Sequence, residues 1–549
     1  MIEVKRHFNT AGPCMPAWHY MIDPLPRLAD APRLIDQGKF FVVHAPRQSG
    51  KTTTLLALAE SLARQGRYAA LYSSCEAAAP LEDDQRAEAV LIETLRVDAE
   101  TRLAPERRPP PGPEGQSLSL FLRAWAAACP RPLVLLLDEV DALKPVPLQR
   151  LLRQLRDGYR TDRPKDFPWS VVLCGMRDIR DYRDAAGLPQ GTSSFAPLGR
   201  LPTGETRASP PLQIKVESFR LDGFSEVELN TLLDQHTAET GQVFTPEARA
   251  LVFALSQGQP WLTNALAREV VEKLAITGPI AAEHIEVAKE RLILARATHL
   301  DSLAARLREP RVQAVIEPVL AGDFVLLETY DDSLLYLRDL GLIAPDAPVR
   351  VANPIYREVI VRTLTAQTQD SLPVSPHRFV TADGRLDVAK FLNDFKAFWM
   401  EHGDILTVGQ AYHEVAPQLV IMAYFQRVVN GREARVPPVG GRTEGAELAG
   451  VITREYGVGR GAIDLLLRWK LPDGSLQRVA MELKVRTART GDPLAKGLRQ
   501  IDGYLARLDL MEGILVIFDR RADAPPIPER TTLETVTSPE GRTITLLRA

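Results

Sequence analysis

The run Phe40-Phe41-Val42-Val43-His44-Ala45-Pro46-Arg47-Gln48-Ser49-Gly50-Lys51-Thr52-Thr53 decides the fold of the amino-terminal part of the chain. Its four leading apolar residues read as a buried strand, and the pattern from Thr53 to Arg64 reads as a helix. Ala45 to Thr52, between them, is a turn ending in Gly50-Lys51-Thr52. A strand, such a turn and a helix make a phosphate-binding loop. Backbone N–H groups and the helix N-terminus face the β- and γ-phosphates of a nucleotide. Lys51 supplies a point charge and the Thr52 hydroxyl a ligand for Mg²⁺. The first loop position is usually Gly and is Ala45 here. Pro46, Arg47, Gln48, Ser49 and Thr53 complete the expected cofactor contacts. A chance glycine turn is the bland alternative, and the flanking strand and helix weigh against it.

A second run, Leu133-Val134-Leu135-Leu136-Leu137-Asp138-Glu139, is apolar until two carboxylates close it. Parallel strands buried on both faces read this way, and ligands lie beyond their carboxyl ends. Asp138 is expected to hold Mg²⁺ through water, and Glu139 to orient or deprotonate the attacking water. Asp141 reads as a solvated loop charge. Further apolar runs at Tyr68 to Tyr72 and Val171 to Cys174 alternate with helical patterns, which predicts an α/β layered fold with a parallel sheet. After the last of these runs, Arg177 is the candidate contact to the γ-phosphate, with a structural salt bridge as its alternative.

At 549 residues the chain is long enough for three or four domains. It is 45% hydrophobic and 25% charged, ordinary for a globular protein, which excludes a mainly disordered, collagen-like or coiled-coil chain. The net charge of −3 is wrong for a protein that coats nucleic acid over its whole surface, so any such contact must come from a local patch. Cys14, Cys75, Cys129 and Cys174 form no CxxC pair, which argues against a zinc site or disulfide framework. The opening residues lack the apolar core of a signal peptide, and no run approaches the ~20 apolar residues of a membrane span. A soluble, cytoplasmic protein with no membrane partner is expected.

Near the other end, Ala462 to Trp469 and Gln477 to Val485 read as strands joined by a turn at Asp473-Gly474. Antiparallel pairing about Asp473 sets Asp464 opposite Glu482. Strand periodicity puts Glu482 and Lys484 on one face. Carboxylates that close repel unless a cation lies between them, and Mg²⁺ or Mn²⁺ suits hard oxygen ligands. Such a metal polarises a phosphodiester and acidifies bound water, while Lys484 can steady developing negative charge. A surface hairpin with a Glu/Lys pair is the alternative, but the apolar flanks are unlike a solvated hairpin. Downstream, Lys496, Gln500, Tyr504 and Arg507 share a helical face. From Lys484 to Arg507 there are six basic residues against two acids, the local patch that the overall charge required.

Two resemblances follow from these residues. Residues 1–365 resemble the STAND branch of AAA-like ATPases, close to the archaeal-type ATPases. The matching pieces are the phosphate loop, LLLDE at 135–139, GMRDIRDY at 175–182 and GQPWLTNAL at 258–266. Gly258-Gln259-Pro260 is similar to the GxP motif of that class, and the segment from Leu334 to Arg362 to its winged helix. The resemblance implies ATP or ADP held between core and lid, with Pro260 on the base or ribose side, and assembly into a homo-oligomer when ATP is bound. His19-Tyr20 is a candidate cap for the adenine, with core packing as the alternative. Arg357 and Arg362 sit with Glu358 in a mixed-charge pattern, unlike a basic DNA-recognition helix.

Asp464, Glu482 and Lys484 resemble the PD-(D/E)xK nuclease superfamily, and Gln500 with Tyr504 the QxxxY motif of its RecB-like branch. There the Gln and Tyr approach the metal and the nucleic-acid backbone. The family also carries an acid on a preceding helix, for which Glu414 is the choice as a metal ligand and Glu455 the competitor. The implied fold is α/β multidomain. A P-loop AAA-like ATPase core at 1–215 is followed by a helical lid at 216–280 and a winged helix at 281–370, and an α/β restriction-endonuclease-like domain occupies 371–549. The implied function is an ATP-binding and ATP-hydrolysing switch that controls a metal-dependent nuclease acting on DNA rather than RNA, in antiphage or mobile-element defence. The alternatives are a signalling STAND ATPase whose last domain binds DNA or a partner without cutting, and a phosphotransferase built on the same loop.

Overall fold

The computed structural model describes residues 5–113, 115–159, 165–176, 217–295, 305–321, 332–371, 379–407, 420–425, 450–458, 461–471, 473–486, 491–521 and 523–549, with 300, 303 and 417. In β6 and the first four residues of β7 it describes the backbone alone. Arg177 and Glu414, and the breaks at 201–211 and 437–441, lie outside the described residues. The chain divides into two compact units, Met1–Ala295 with Leu334–Ile343, and Arg296–Ser333 with Ala344–Ala549.

The first unit is built on a parallel sheet of β1 (Phe40–His44), β2 (Ala69–Ser74), β3 (Leu133–Asp138), β4 (Ser170–Gly175) and β5 (Glu217–Arg220), in the order β2-β3-β4-β1-β5. The four apolar runs read from the sequence are β1 to β4. β1, β3 and β4 are buried along their whole length, which is why they read as continuous rather than alternating. β5 is half-exposed at the sheet edge and had no such signature.

Helix α1 (Ala31–Asp36) and the phosphate-loop helix α2 (Lys51–Gln65) cover one face. There Leu34, Ile35, Leu55, Leu58 and Leu62 pack on Phe41, Val43, Val134 and Val172. Helices α3 (Asp84–Arg102), α4 (Leu118–Ala128) and α5 (Pro145–Tyr159) cover the other, around Trp125 and Phe121. Glu88, buried, joins these three helices. It accepts from the Leu118 N–H that opens α4, from Gln154 at 2.6 Å and from Arg150 at 2.7 Å.

A helical layer follows: α6 (Glu226–Thr240), α7 (Pro246–Ser256), α8 (Pro260–Arg268) and α9 (Ala282–Leu294). Ser225 and Glu228 form a capping box on α6, and Thr245 caps α7, so each start is legible as a Ser or Thr before an acidic turn. Helix α10 (Pro310–Ala321) belongs to the second unit, and most of α11 (Asp332–Asp339) to the first.

The second unit continues with α12 (Pro354–Ser371) and α13 (Val388–Thr407), then a mixed sheet. Its strands are β6 (Gly450–Val458), β7 (Gly461–Lys470), β8 (Leu476–Arg486), β9 (Glu512–Asp519), β10 (Thr532–Thr537) and β11 (Thr543–Arg548), in the order β10-β11-β9-β8-β7-β6. β6, β7 and β8 are antiparallel, β8 and β9 parallel, with helix α14 (Leu494–Leu508) as the crossover that a parallel pair requires. Ile501, Tyr504, Leu505 and Leu508 of α14 bury against Leu466, Ala480, Leu515 and Ile517. No helix among the described residues is long and apolar enough to cross a membrane.

Candidate functional site

The turn between β1 and α2 has two residues with positive φ, Gln48 at 57° and Gly50 at 88°. The second suits glycine, and the first is a strained position for a side chain. Lys51, buried, donates from Nζ to the carbonyls of Ala45 at 3.0 Å and Pro46 at 2.9 Å. Ser49 Oγ donates to the Pro46 carbonyl at 2.7 Å, which tightens the loop. Arg47 and Gln48 are exposed at its tip.

Asp138, the last residue of β3, is fully buried and meets Thr52 directly: Thr52 Oγ1 donates to Asp138 Oδ2 at 2.7 Å. Tyr72, from the neighbouring strand β2, donates to the same oxygen at 3.2 Å. Asp138 Oδ1 accepts the Glu139 N–H at 2.9 Å. The hydroxyl and carboxylate oxygens so joined are the hard donors that suit Mg²⁺ when a nucleotide brings it. Thr52 and Asp138 would hold the ion, and it would neutralise phosphate charge as hydrolysis proceeds.

Glu139 has φ 54° and ψ 37°, a left-handed conformation uncommon for a side-chain-bearing residue. Burial pushes its carboxyl up, Lys51 pulls it down, and Asp138 and Asp141 add to the rise. Cys75 and Cys174 flank Asp138. Burial and then Asp138 push the Cys75 thiol up to about 12 and Cys174 well above its usual range, so both stay neutral beside the carboxylate.

Asp141 is not the solvated loop charge expected. It is half-buried, and its Oδ2 accepts the Met176 N–H at 3.0 Å, tying the end of β4 to the turn after β3. The fixed spacing from Asp138 was visible in the sequence, but the long-range partner was not.

The Gly258-Gln259-Pro260 triplet has a separate task at each position. Gly258 has φ +73°, and a Cβ there would lie 2.0 Å from the Phe224 carbonyl oxygen. Gln259 caps α8 through the Leu262 N–H and reaches the Gln48 carbonyl of the phosphate loop at 3.4 Å. Pro260 opens α8 and is buried, at a position where proline lacks only a donor that the helix does not use.

Sequence reasoning missed an amino-terminal strap. The Cys14 N–H donates to Thr53 Oγ1 at 3.0 Å on α2, so Thr53 serves the strap. Thr10 receives Trp261 Nε1 at 3.0 Å and Arg268 at 2.6 Å from α8. Tyr20 is buried against Phe8 and His236, in keeping with the core-packing alternative.

The family model of the AAA domain matches residues 35–182. This part of the chain is a P-loop ATPase domain of the AAA kind. No curated protein matches the sequence. Among solved structures, a Walker-type ATPase of Pyrococcus abyssi is 13% identical, with TM-score 0.44 over 64% of this chain and 99% of that one. The RuvB Holliday junction branch migration motor of Thermotoga maritima is 15% identical, with TM-score 0.32 over 61% of this chain and 92% of that one. Cdc6p from Pyrobaculum aerophilum is 14% identical, with TM-score 0.31 over 62% and 93%.

In the second unit, β7 pairs with β8 from Leu465 opposite Met481 to Lys470 opposite Leu476. Asp464 and Glu482 are the next residues of β7 and β8 beyond the end of this ladder. Glu482 is 1% exposed, and Lys484 Nζ donates to its Oε1 at 2.5 Å. Glu482 is paired on its other side with Leu515. A Cβ on Gly497 would meet Leu515 at 2.8 Å, so the glycine lets α14 lie close to the sheet here. Gln500, one turn further on, has a buried Oε1 with no hydrogen-bond partner among the described residues. Tyr504 is buried in the core under α14, and Lys496, Arg499 and Arg507 are exposed along it. Glu455 falls in β6, of which only the backbone is described. Among the described residues no group of three or more His, Cys, Asp or Glu could hold a metal.

Proposed function

We propose that this ATPase is a nucleotide-driven switch whose carboxy-terminal unit cuts nucleic acid with a divalent metal, DNA rather than RNA, in defence against foreign DNA. The observation that carries the nuclease reading is the burial of Glu482 with Lys484 Nζ on its carboxylate. An ionised pair is costly to bury and is kept where it has a task. The hairpin register, which continued by one residue would bring Asp464 level with Glu482, supports a two-carboxylate Mg²⁺ or Mn²⁺ site. Gln500 on α14, with its buried carbonyl oxygen, is in keeping with a polar neighbour for that metal or for the scissile phosphate. Lys496, Arg499 and Arg507, exposed on the same helix, suit a phosphate backbone. The resemblance of the first 365 residues to STAND ATPases supports control by ATP and ADP, with assembly in the ATP-bound form.

The test is purified full-length protein with plasmid DNA, linear DNA and RNA, with and without ATP, across Mg²⁺ and Mn²⁺. Cutting is expected only with metal and on DNA, and is expected to be lost in Glu482→Ala and Lys484→Ala. Cutting that survives both substitutions, or no cutting under any condition, overturns the nuclease reading. A mobility shift without cleavage selects the binding-only alternative.

A further inference from the structure

We propose that Tyr72 is a positioning residue for the divalent cation that accompanies the nucleotide. It acts by fixing the Asp138 carboxylate. The inference rests on the nucleotide-binding reading of the phosphate loop and adds a residue to it. Tyr72 is on β2, whose register with β3 sets Tyr72 opposite Leu136 and Ser74 opposite Asp138. Two residues along a strand return to the same face, so Tyr72 and Asp138 are diagonal neighbours on the face that carries α2 and Thr52.

Asp138 is fully buried, so both oxygens of its carboxylate need donors. Oδ1 has the Glu139 N–H at 2.9 Å. Oδ2 has two hydroxyls, Thr52 at 2.7 Å and Tyr72 at 3.2 Å. Thr52 is the hydroxyl that the loop offers to the cation, so its bond to Asp138 changes when the cation is held. Tyr72 has no such second duty. Its donation keeps Oδ2 aimed while Thr52 turns to the ion.

The ring is itself held. The Arg102 guanidinium, at the end of α3, lies over it with its carbon 5.4 Å from the centroid. Tyr72→Phe therefore keeps the stacked ring and removes only the hydroxyl. Partners that orient a metal ligand are generally worth ten- to a hundredfold in metal affinity.

The experiment measures binding, not turnover. A fluorescent ATP analogue is titrated into full-length wild type and Tyr72→Phe, once in EDTA and once over a range of Mg²⁺ concentrations. The expected result is unchanged affinity in EDTA and a Mg²⁺ midpoint raised about tenfold in the variant. Arg102→Ala, which keeps the hydroxyl but frees the ring, is expected to raise the midpoint less than Tyr72→Phe does; an equal or larger rise overturns the role of the hydroxyl. An unmoved midpoint in Tyr72→Phe overturns the proposal. So does an equal loss of affinity with and without Mg²⁺, which is what a purely structural tyrosine gives. Wild-type protein that binds no analogue at all sinks instead the nucleotide reading on which the proposal stands.

Discussion

His44, the last residue of β1, stands 3.4 Å from Asp339, the last residue of α11, and both side chains are almost buried. The separation is within ion-pair reach, although His44 Nδ1 makes no well-directed hydrogen bond among the described residues. The pair brings the segment Leu334–Ile343 against the start of the phosphate loop. Arg220 of β5 adds a hydrogen bond to the Arg338 carbonyl at 3.0 Å. Gly341 comes so close to Pro46 that a Cβ would lie 2.7 Å from the proline ring. The neighbours of this segment in sequence, on both sides, belong to the second unit.

Asp339→Ala and Gly341→Ala should therefore each loosen residues 334–343. Gly341 also has φ +76°, which adds the usual left-handed penalty of about 1–2 kcal/mol for a side chain. Amide hydrogen exchange of residues 334–343 and 45–51 is the measurement. Exchange about tenfold faster in both segments is expected, the effect of roughly 1.4 kcal/mol on local opening. Unchanged protection in both variants would show that the contact carries no energy.

Gly258→Ala is expected to be among the most damaging single changes in the first unit. The added carbon meets a carbonyl oxygen at 2.0 Å, not a movable side-chain tip, and the Phe224 N–H is already bonded to the Gly258 carbonyl at 2.6 Å. A loss of about 3 kcal/mol or more is expected from strain and clash together. Thermal unfolding of the variant measures it. Pro260→Ala removes only a preset turn and should cost well under half as much.

These positions divide according to how local their cause is. The six residues of β3 were legible because a strand buried on both faces has no alternation to obscure it. The β7–β8 register was legible because the Asp473-Gly474 turn fixes it within a few residues. Tyr72, Asp141 and the bond from Cys14 to Thr53 were not. Their partners lie 66, 35 and 39 residues away, and no periodicity within a strand or helix encodes such a meeting. Tyr504 was half legible. Helical spacing put it beside Gln500, but burial of its ring under α14 depends on Leu466, Ala480 and Leu515, which come from three different strands. Gly258 was read as part of a motif, while its steric reason needed the Phe224 backbone.

Asp502 shows what pH should do to the second unit. It is 3% exposed on α14. It accepts Ser538 Oγ and Arg542 Nη1, both at 2.8 Å, and the Glu540 N–H at 2.9 Å. Burial raises its carboxyl, but the bonds from Arg542, Ser538 and Glu540 outweigh it and hold the group below the ordinary value of 3.8. A depressed carboxyl stabilises the fold above its unfolded pKa, and that contribution is lost as the pH falls through the folded one. Asp502→Asn should therefore cost about 3 kcal/mol at pH 7, because Arg542 loses a buried partner. The gap should narrow as the pH falls below 3.8, where the unfolded chain protonates, and close only below the lower pKa of the folded carboxyl. Urea unfolding at pH 7 and near pH 3 tests this, and a gap that stays constant between them contradicts it.

Glu139 offers the test of hydrolysis. Its carboxylate follows Asp138 at the sheet end, and the left-handed backbone turns it away from the strand direction. Lys51 lies close enough to draw its carboxyl down against the effect of burial. A carboxylate so placed can orient a water without holding the cation, a task proposed for Thr52 and Asp138. Glu139→Gln keeps the size and polarity of the side chain and removes the proposed base. It should bind ATP as well as wild type and hydrolyse it about 10²- to 10⁴-fold more slowly, the usual contribution of a general base. Lys51→Ala should instead lose binding itself if Lys51, buried in the loop, is the charge proposed to meet the phosphates. Equilibrium binding of a fluorescent ATP analogue and phosphate release, measured on both variants, separate the two roles. Normal phosphate release from Glu139→Gln would move the base elsewhere in the site.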